Sequence, residues 1–308
     1  MNDKQRPRYW IVVLVTLLIL GLFSVMIAGF IGLFFVGEEP VVSGNVAVID
    51  IQGAISVTKD GVLTSGVASS TDIVKLIEKA DKDDRIKAMV FMIESPGGSA
   101  VASDEIATAI KSANKTTVAV IRDIGTSGAY WIASSTRHVI ANRASFTGSI
   151  GVIASYIEIP GLLEHYNVTY RRLVAGKYKD MGSPLKELTP EEEEIFQQSL
   201  DELHEIFIQE VATNRNMSYD DVKKLATGEF FTGLKAKRLG LVDELGGKKE
   251  AKAYLEKALN TTVVLMPYKK PKTLFETLTT GVSEQAYVMG RGIGDSLTHA
   301  ESTLTVRT

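Results

Sequence analysis

The sequence contains no cysteine. Disulfide staples, thiolate nucleophiles and cysteine-held metals are therefore excluded, and stability must come from a packed core. Histidine is scarce, with four residues in 308. His299 lies in a polar terminal stretch, His204 among Asp201, Glu202 and Glu205 on a helix-like run, where a solvated or boundary position is expected. His165 precedes Asn167 and His138 starts an apolar run. None sits on a strand-end turn beside an acidic partner, so a Ser-His-Asp triad would have to assemble from distant positions. The exported part has no internal repeat, and the chain has no phosphate-loop pattern and no clustered metal ligands. No cofactor and no metal are expected.

Charge is missing altogether from Tyr9 to Gly37. At about 1.5 Å per residue, a helix of this length exceeds the roughly 30 Å hydrocarbon core of a bilayer. A cleaved signal would have a shorter apolar core of about 7–15 residues, although Ala28-Gly29 offers small residues for cleavage. A retained transmembrane helix over residues 9–37 is expected. Lys4, Arg6 and Arg8 precede it, and Glu38 and Glu39 follow. The positive-inside rule then places the arm, residues 1–8, in the cytoplasm and everything beyond the span outside it, as in a single-pass protein of the cell membrane. The formal charge is −3, and the arm holds +2 of it (three cations against Asp3), which leaves −5 for the remainder. A mildly acidic exported domain argues against nucleic acid as a partner.

After a linker over residues 38–45, apolar runs alternate with helix-like segments. Val46-Ala-Val-Ile-Asp-Ile51, Ile86-Lys-Ala-Met-Val-Phe-Met-Ile93, Thr117-Val-Ala-Val-Ile121 and His138-Val-Ile-Ala141 read as strands. Ser70-Thr-Asp-Ile73 offers N-caps for a helix to about Ala80. Thr189-Pro-Glu-Glu-Glu-Glu194 opens a helix to about Asn214, with Phe196, Leu200, Leu203, Phe207 and Val211 on its buried side. Shorter helices follow near residues 219–226 and 248–258, and residues 263–267 look like a last strand. Alternation of this kind, with several strands apolar throughout, points to an α/β fold with a mostly parallel sheet covered by helices. Chemistry in such folds collects at the carboxyl ends of the strands.

Two glycine-containing turns fall there. Ser95-Pro-Gly-Gly-Ser99 follows the second strand, and Asp123-Ile-Gly-Thr-Ser-Gly-Ala-Tyr130 follows the third. In the latter, glycines lie close on both sides of Ser127. A nucleophile at a strand-to-helix turn needs a sharp bend, an accessible hydroxyl and a free N–H beside it. A plain N-cap serine fits the same residues. A serine nucleophile also needs a base. Lysine can serve when it is neutral. Leu173-Val-Ala-Gly-Lys-Tyr-Lys-Asp180 ends a strand-like run with Lys177 and Lys179, which an extended chain would point to one face. A charged surface loop fits this segment equally. The N–H groups of Gly98 and Gly128 are candidate oxyanion donors.

Five segments occur in order: Ser95-Pro-Gly-Gly-Ser99, Thr126-Ser-Gly-Ala-Tyr-Trp131, Thr147-Gly-Ser-Ile-Gly-Val152, Gly176-Lys-Tyr-Lys179 and Gly240-Leu-Val-Asp-Glu-Leu-Gly246. Together they resemble the signal peptide peptidase A family of membrane-anchored serine proteases, in its short, single-copy form. The resemblance implies the fold shared by Clp proteases and crotonases and a peptidase domain over residues 46–268, with a polar tail over 269–308. It implies Ser127 as nucleophile, Lys179 as general base, Ser149 as the group that holds the lysine amine, and Gly98 and Gly128 as oxyanion donors. Many relatives read Ala-Ser-Gly-Gly-Tyr where this chain reads Thr126-Ser-Gly-Ala-Tyr130, a small change beyond the two essential positions. It further implies a homo-oligomeric ring whose sites are completed between subunits. The expected substrates are cleaved signal peptides or other unfolded peptides. Two other readings stay open on the sequence: a crotonase-like acyl-CoA enzyme, which the export topology opposes, and a non-catalytic membrane scaffold.

Overall fold

The computed structural model describes residues 9–35, 44–58 and 66–269. The expected cytoplasmic arm, most of the linker, and the tail from residue 270 with His299 lie outside the described residues. The chain divides into two units, with the boundary between Ser43 and Gly44. The first contains helix α1 (Tyr9–Phe35), 27 residues without a charge. Its segment Trp10–Ile27 is long and apolar enough to cross a membrane, and none of it is buried.

The second unit begins with β1 (Val46–Gln52), β2 (Ala54–Ser56), β3 (Val67–Ser69), α2 (Ser70–Lys82), β4 (Ala88–Ser95) and α3 (Ala100–Ser112). It continues through β5 (Thr116–Thr126), α4 (Gly128–Ser134), β6 (His138–Ala141), β7 (Phe146–Gly148) and α5 (Pro160–His165). The rest comprises α6 (Pro190–Arg215), α7 (Tyr219–Leu225), β8 (Phe230–Thr232), α8 (Gly233–Arg238), β9 (Glu244–Leu245), α9 (Lys248–Leu259) and β10 (Leu265–Pro267).

The main sheet runs β10-β1-β4-β5-β6-β9, and every neighbouring pair in that order is parallel. The alternating direction of side chains explains why its central strands carry unbroken apolar runs, over residues 46–49, 88–93 and 118–121, that are buried on both faces. Ile49, Ile51, Met89, Phe91, Ile93 and Ile121 face a core shared with α2, α3, α4 and α6. Val46, Val48, Val90, Val118 and Val120 face the other way, onto Ala251 and Leu255 of α9 and onto Val263. The expected parallel α/β sheet, covered on both faces, is what forms.

Several elements depart from their sequence patterns. The apolar run of β5 ends at Ile121, yet the strand continues to Thr126 through Arg122 and Asp123. Its second half leaves β6 and pairs with β7, from Ile124–Phe146 to Thr126–Gly148, so its backbone stays satisfied. Antiparallel β8 then pairs with β7. The strand-like run before Lys177 is not a strand. Its residues are exposed, Leu173 at 97%, and the chain makes turns from Lys177 onward. In α6 the predicted apolar stripe is buried only towards its C-terminal end, at Phe207 and Val211, while Phe196 and Leu200 are half-buried and Leu203 is exposed. Leu200 and Leu203 border a cavity instead of the core, and Phe196 stacks on Tyr156.

Candidate active site

The site is built where β4 and β5 end side by side. Ser127 is the residue between β5 and α4, with φ 53° and ψ −128°. A non-glycine residue in such a conformation stores about 1–3 kcal/mol of strain. Its N–H donates to the Gly148 carbonyl at 2.8 Å, and its own carbonyl accepts from Tyr130 N–H at 2.8 Å and Trp131 N–H at 3.0 Å. The backbone is thus held from both sides. The side chain makes no capping hydrogen bond to α4, which separates it from a plain N-cap serine. It is half-buried, so the hydroxyl stays accessible.

The Pro96-Gly97-Gly98 turn lies against it. Thr126 Oγ1 donates to the Pro96 carbonyl at 3.1 Å, tying the two turns together. Gly98 is clamped against β2: Ile55 N–H donates to Gly97 O and Ser99 N–H to Ile55 O, each at 2.9 Å. A Cβ at Gly98 would stand 2.1 Å from the Ile55 oxygen, so only glycine fits. A Cβ at Gly128 would stand 2.2 Å from Ser103 Oγ and 3.5 Å from the Gly98 nitrogen. The Gly98 and Gly128 amides therefore lie close to one another and to Ser127. Among the described residues neither N–H has a hydrogen-bond partner, and Gly128 opens a helix, where such donors are unpaired. Two free donors beside an accessible hydroxyl form an oxyanion-hole arrangement.

Both turns open into a cavity of about 1060 Å³. Ser149 stands on its wall, held at φ 52° with its N–H on the Glu229 carbonyl at 2.9 Å. Trp131, Leu200, Leu203 and Phe207 give it an apolar side, with the Trp131 and Phe207 rings stacked at 5.0 Å. His204 also lines it, half-buried, and its Nε2 is buried without a protein partner, as is Trp131 Nε1. The expected boundary position of His204 is correct, but its place on the wall was not legible. His138 stands at the other end of the sheet, level with Val118 and next to Asp243 and Glu244. His165 is exposed beside Tyr166. A second cavity, about 820 Å³, lies by Asp50, Arg122 and Asp123. Its Ser145 hydroxyl is engaged, donating to the Ile121 and Arg122 carbonyls. No cluster of three metal-ligating side chains occurs among the described residues.

Lys179 is not on the wall of the Ser127 cavity of its own chain. It is exposed in the turn after Gly176, and no ion pair engages its ammonium among the described residues. Lys177, by contrast, pairs with Glu191 at 2.5 Å. The Glu191 carboxylate, and secondarily the Tyr178 hydroxyl, push the Lys177 pKa up.

The motif Gly240–Gly246 has a buttressing place. The buried Tyr130 hydroxyl donates to the Leu241 carbonyl at 2.8 Å, and burial pushes its pKa up. Arg215 donates to Gly240 O and pairs with Asp243 at 2.6 Å, while Asp243 accepts from Val139 N–H at 2.7 Å. Burial opposes the Asp243 charge, but Arg215 and the Val139 amide hold its pKa below the ordinary value. The helix that follows Ser127 is thereby fixed to the segment between α8 and β9.

Residues 109–262 match the family model described as Peptidase family S49. A provisionally named protease of Synechocystis is 35% identical over 251 residues, 79% of this chain and 90% of that one. The chloroplastic serine protease SPPA of Arabidopsis thaliana is 30% identical over 268 residues, 83% of this chain and 40% of that one. A provisionally named signal peptide peptidase, SppA, of Enterococcus faecium is 30% identical over 243 residues, 77% of this chain and 71% of that one.

Proposed function

Since the chain belongs to peptidase family S49, the signal peptide peptidase A family, we propose that it is a membrane-anchored serine endopeptidase working through Ser127 and Lys179. The observation that carries this reading is the strained Ser127, free of any capping bond, flanked by the unpaired N–H groups of Gly98 and Gly128. Neutral Lys179 takes the Ser127 proton as Oγ attacks a peptide carbonyl. The resulting oxyanion is bound by the two amides. Collapse breaks the C–N bond, and the leaving amine takes the proton back from Lys179. Water then attacks the ester, again giving its proton to the lysine, and Ser127 is regenerated. Ser149 holds the lysine amine in place.

Two features favour Lys179 over Lys177. The Lys177 ammonium is held protonated by Glu191, whereas Lys179 carries no such partner. The position of Lys179 away from its own chain's cavity suits a site completed by a neighbouring copy. Exposed apolar residues between β7 and α6, among them Ile153 at 88% and Leu173 at 97%, support a homo-oligomer. The apolar cavity wall suits unfolded apolar peptides, including cleaved signal peptides, bound as an added strand beside the catalytic turn. Helix α1 serves as the single-pass anchor, with the N-terminus cytoplasmic and the catalytic unit outside. Membership of a peptidase family sets aside the acyl-CoA reading.

His204 supports a second reading, a Ser-His base, because it shares the cavity with Ser127. Peptide cleavage by the detergent-purified protein separates them. Ser127→Ala and Lys179→Ala are expected to lose at least about 10³-fold in kcat, with His204→Ala within a few-fold of the parent. Activity is expected to rise towards alkaline pH as the lysine loses its proton. Full activity in Lys179→Ala with loss in His204→Ala would transfer the base role to His204. Full cleavage by Ser127→Ala would exclude Ser127 as the nucleophile, whereas no cleavage by the parent protein, with its cellular function intact in Ser127→Ala, would leave a non-catalytic scaffold.

A further inference from the structure

The turn that carries Lys179 is held by an unusual number of side chains for an exposed segment. Arg172 Nε and Nη2 form a fork on the Asp180 carboxylate, at 2.5 and 2.8 Å, and Nη2 also donates to the Lys177 carbonyl at 2.9 Å. One guanidinium thus grips the chain on both sides of Lys179. From α6, Glu191 accepts from the Lys177 ammonium and from the Tyr178 hydroxyl. The turn is closed internally by Lys179 N–H on the Gly176 carbonyl at 3.2 Å and Met181 N–H on the Tyr178 carbonyl at 3.1 Å. Further along, Lys186 pairs with the buried Glu192 at 2.6 Å, which fastens the following segment to the same helix start. The side chains of residues 177, 178 and 180 all have partners. That of Lys179 has none among the described residues.

We infer that Arg172, Asp180 and Glu191 are positioning residues for the general base, fixing the Lys179 turn and keeping both neighbouring carboxylates occupied so that neither pairs with Lys179. The inference rests on the proposed role of Lys179. Exposed ion pairs such as these add little to stability one by one. Their effect here is on geometry and on protonation. A base on a four-carbon stem must be aimed, and a displacement of about 1 Å at a reacting group can lower the rate about 100-fold. Asp180 is next to Lys179 in sequence. A free carboxylate there would pair with the ammonium and hold it charged, and a charged lysine takes no proton. The Arg172 fork occupies both Asp180 oxygens, and the shared grip of Lys177 and Tyr178 occupies Glu191. The charged and titratable groups around the turn include Tyr170, Arg172, Lys177, Tyr178, Asp180, Glu191 and, behind them, Lys186 with Glu192.

The test is the pH profile of peptide hydrolysis by the full-length protein and four variants: Lys179→Ala, Arg172→Ala, Arg172→Lys and Arg172→Ala/Asp180→Asn. For Arg172→Ala the alkaline-rising limb of kcat should move to higher pH by about one unit or more, as a released carboxylate requires. At neutral pH kcat should fall about 10-fold or more, with KM changed less than kcat. The double variant has no carboxylate to release, so its limb should return to the parent position even if kcat stays low. Arg172→Lys should shift in the same direction but by less, since a lysine cannot form the fork; it carries the test should Arg172→Ala fail to fold. An unshifted limb in Arg172→Ala and Arg172→Lys, with Lys179→Ala inactive, overturns the positioning role and leaves the base intact. A shift that persists in the double variant overturns the part given to Asp180. An active Lys179→Ala instead overturns the base reading on which the inference rests.

Discussion

Ser127 is the residue at which fold and chemistry conflict. Its φ of 53° is unfavourable for any side chain, and the strain is maintained by the Gly148 carbonyl on one side and the first turn of α4 on the other. Glycine adopts this conformation without a side-chain penalty. Ser127→Gly is therefore expected to abolish turnover while raising stability by about 1 kcal/mol, a rise of about 2–4 °C in the thermal midpoint. A lower midpoint would contradict the strain. Glycines around a serine between an apolar run and a helix made the turn readable in the sequence, and Pro96-Gly97-Gly98 made its partner readable. What the residue pattern left open was the choice between nucleophile and cap, which the absent capping bond addresses. The place of His204 on the cavity wall was hidden because it depends on how α6 packs on α4, and its acidic neighbours pointed only to a solvated or boundary position.

At the scale of elements, α4 connects the nucleophile to distant parts of the chain. It is seven residues long and completely buried, too short to stand alone. Tyr130 ties it to Leu241, and Arg215 ties the same strip to the end of α6 through Asp243. Arg215 is 7% exposed and Asp243 31%. Removing one partner of a largely buried pair leaves a charge uncompensated, so Arg215→Ala should cost about 2–3 kcal/mol, discounted for the partial exposure of Asp243. Equilibrium denaturation of the two proteins measures it. The pH dependence has a definite sign. The Asp243 pKa is lowered in the folded state, so its contribution is complete above the ordinary carboxylate pKa of about 4 and is lost as pH falls through the lower folded value. The difference between parent and Arg215→Ala should therefore shrink in acid. The strands β1, β4, β5 and β6 and the capped start of α6 were legible because burial on both faces and capping chemistry leave local signals. The short β7, β8 and β9 leave none, since three residues or fewer carry no period and their pairing is decided by tertiary contact.

At the scale of the whole molecule, the segment between β7 and α6 is the most exposed apolar stretch of the catalytic unit among the described residues, with Ile153 and Leu173 almost fully accessible. Its apolar residues suggested a strand, but among the described residues they join no sheet. The proposed account gives them a neighbouring copy, and it gives Lys179 the Ser127 of that copy. In a closed ring each site then draws its serine from one subunit and its lysine from the next. Ser127→Ala and Lys179→Ala proteins, each inactive alone, should regain peptide hydrolysis when dissociated, mixed in equal amounts and reassembled. Random assembly gives an intact serine and an intact lysine at about a quarter of the sites, so activity should return to about a quarter of the parent value. Mixtures that stay inactive after proven reassembly would contradict a Ser127–Lys179 dyad completed between subunits.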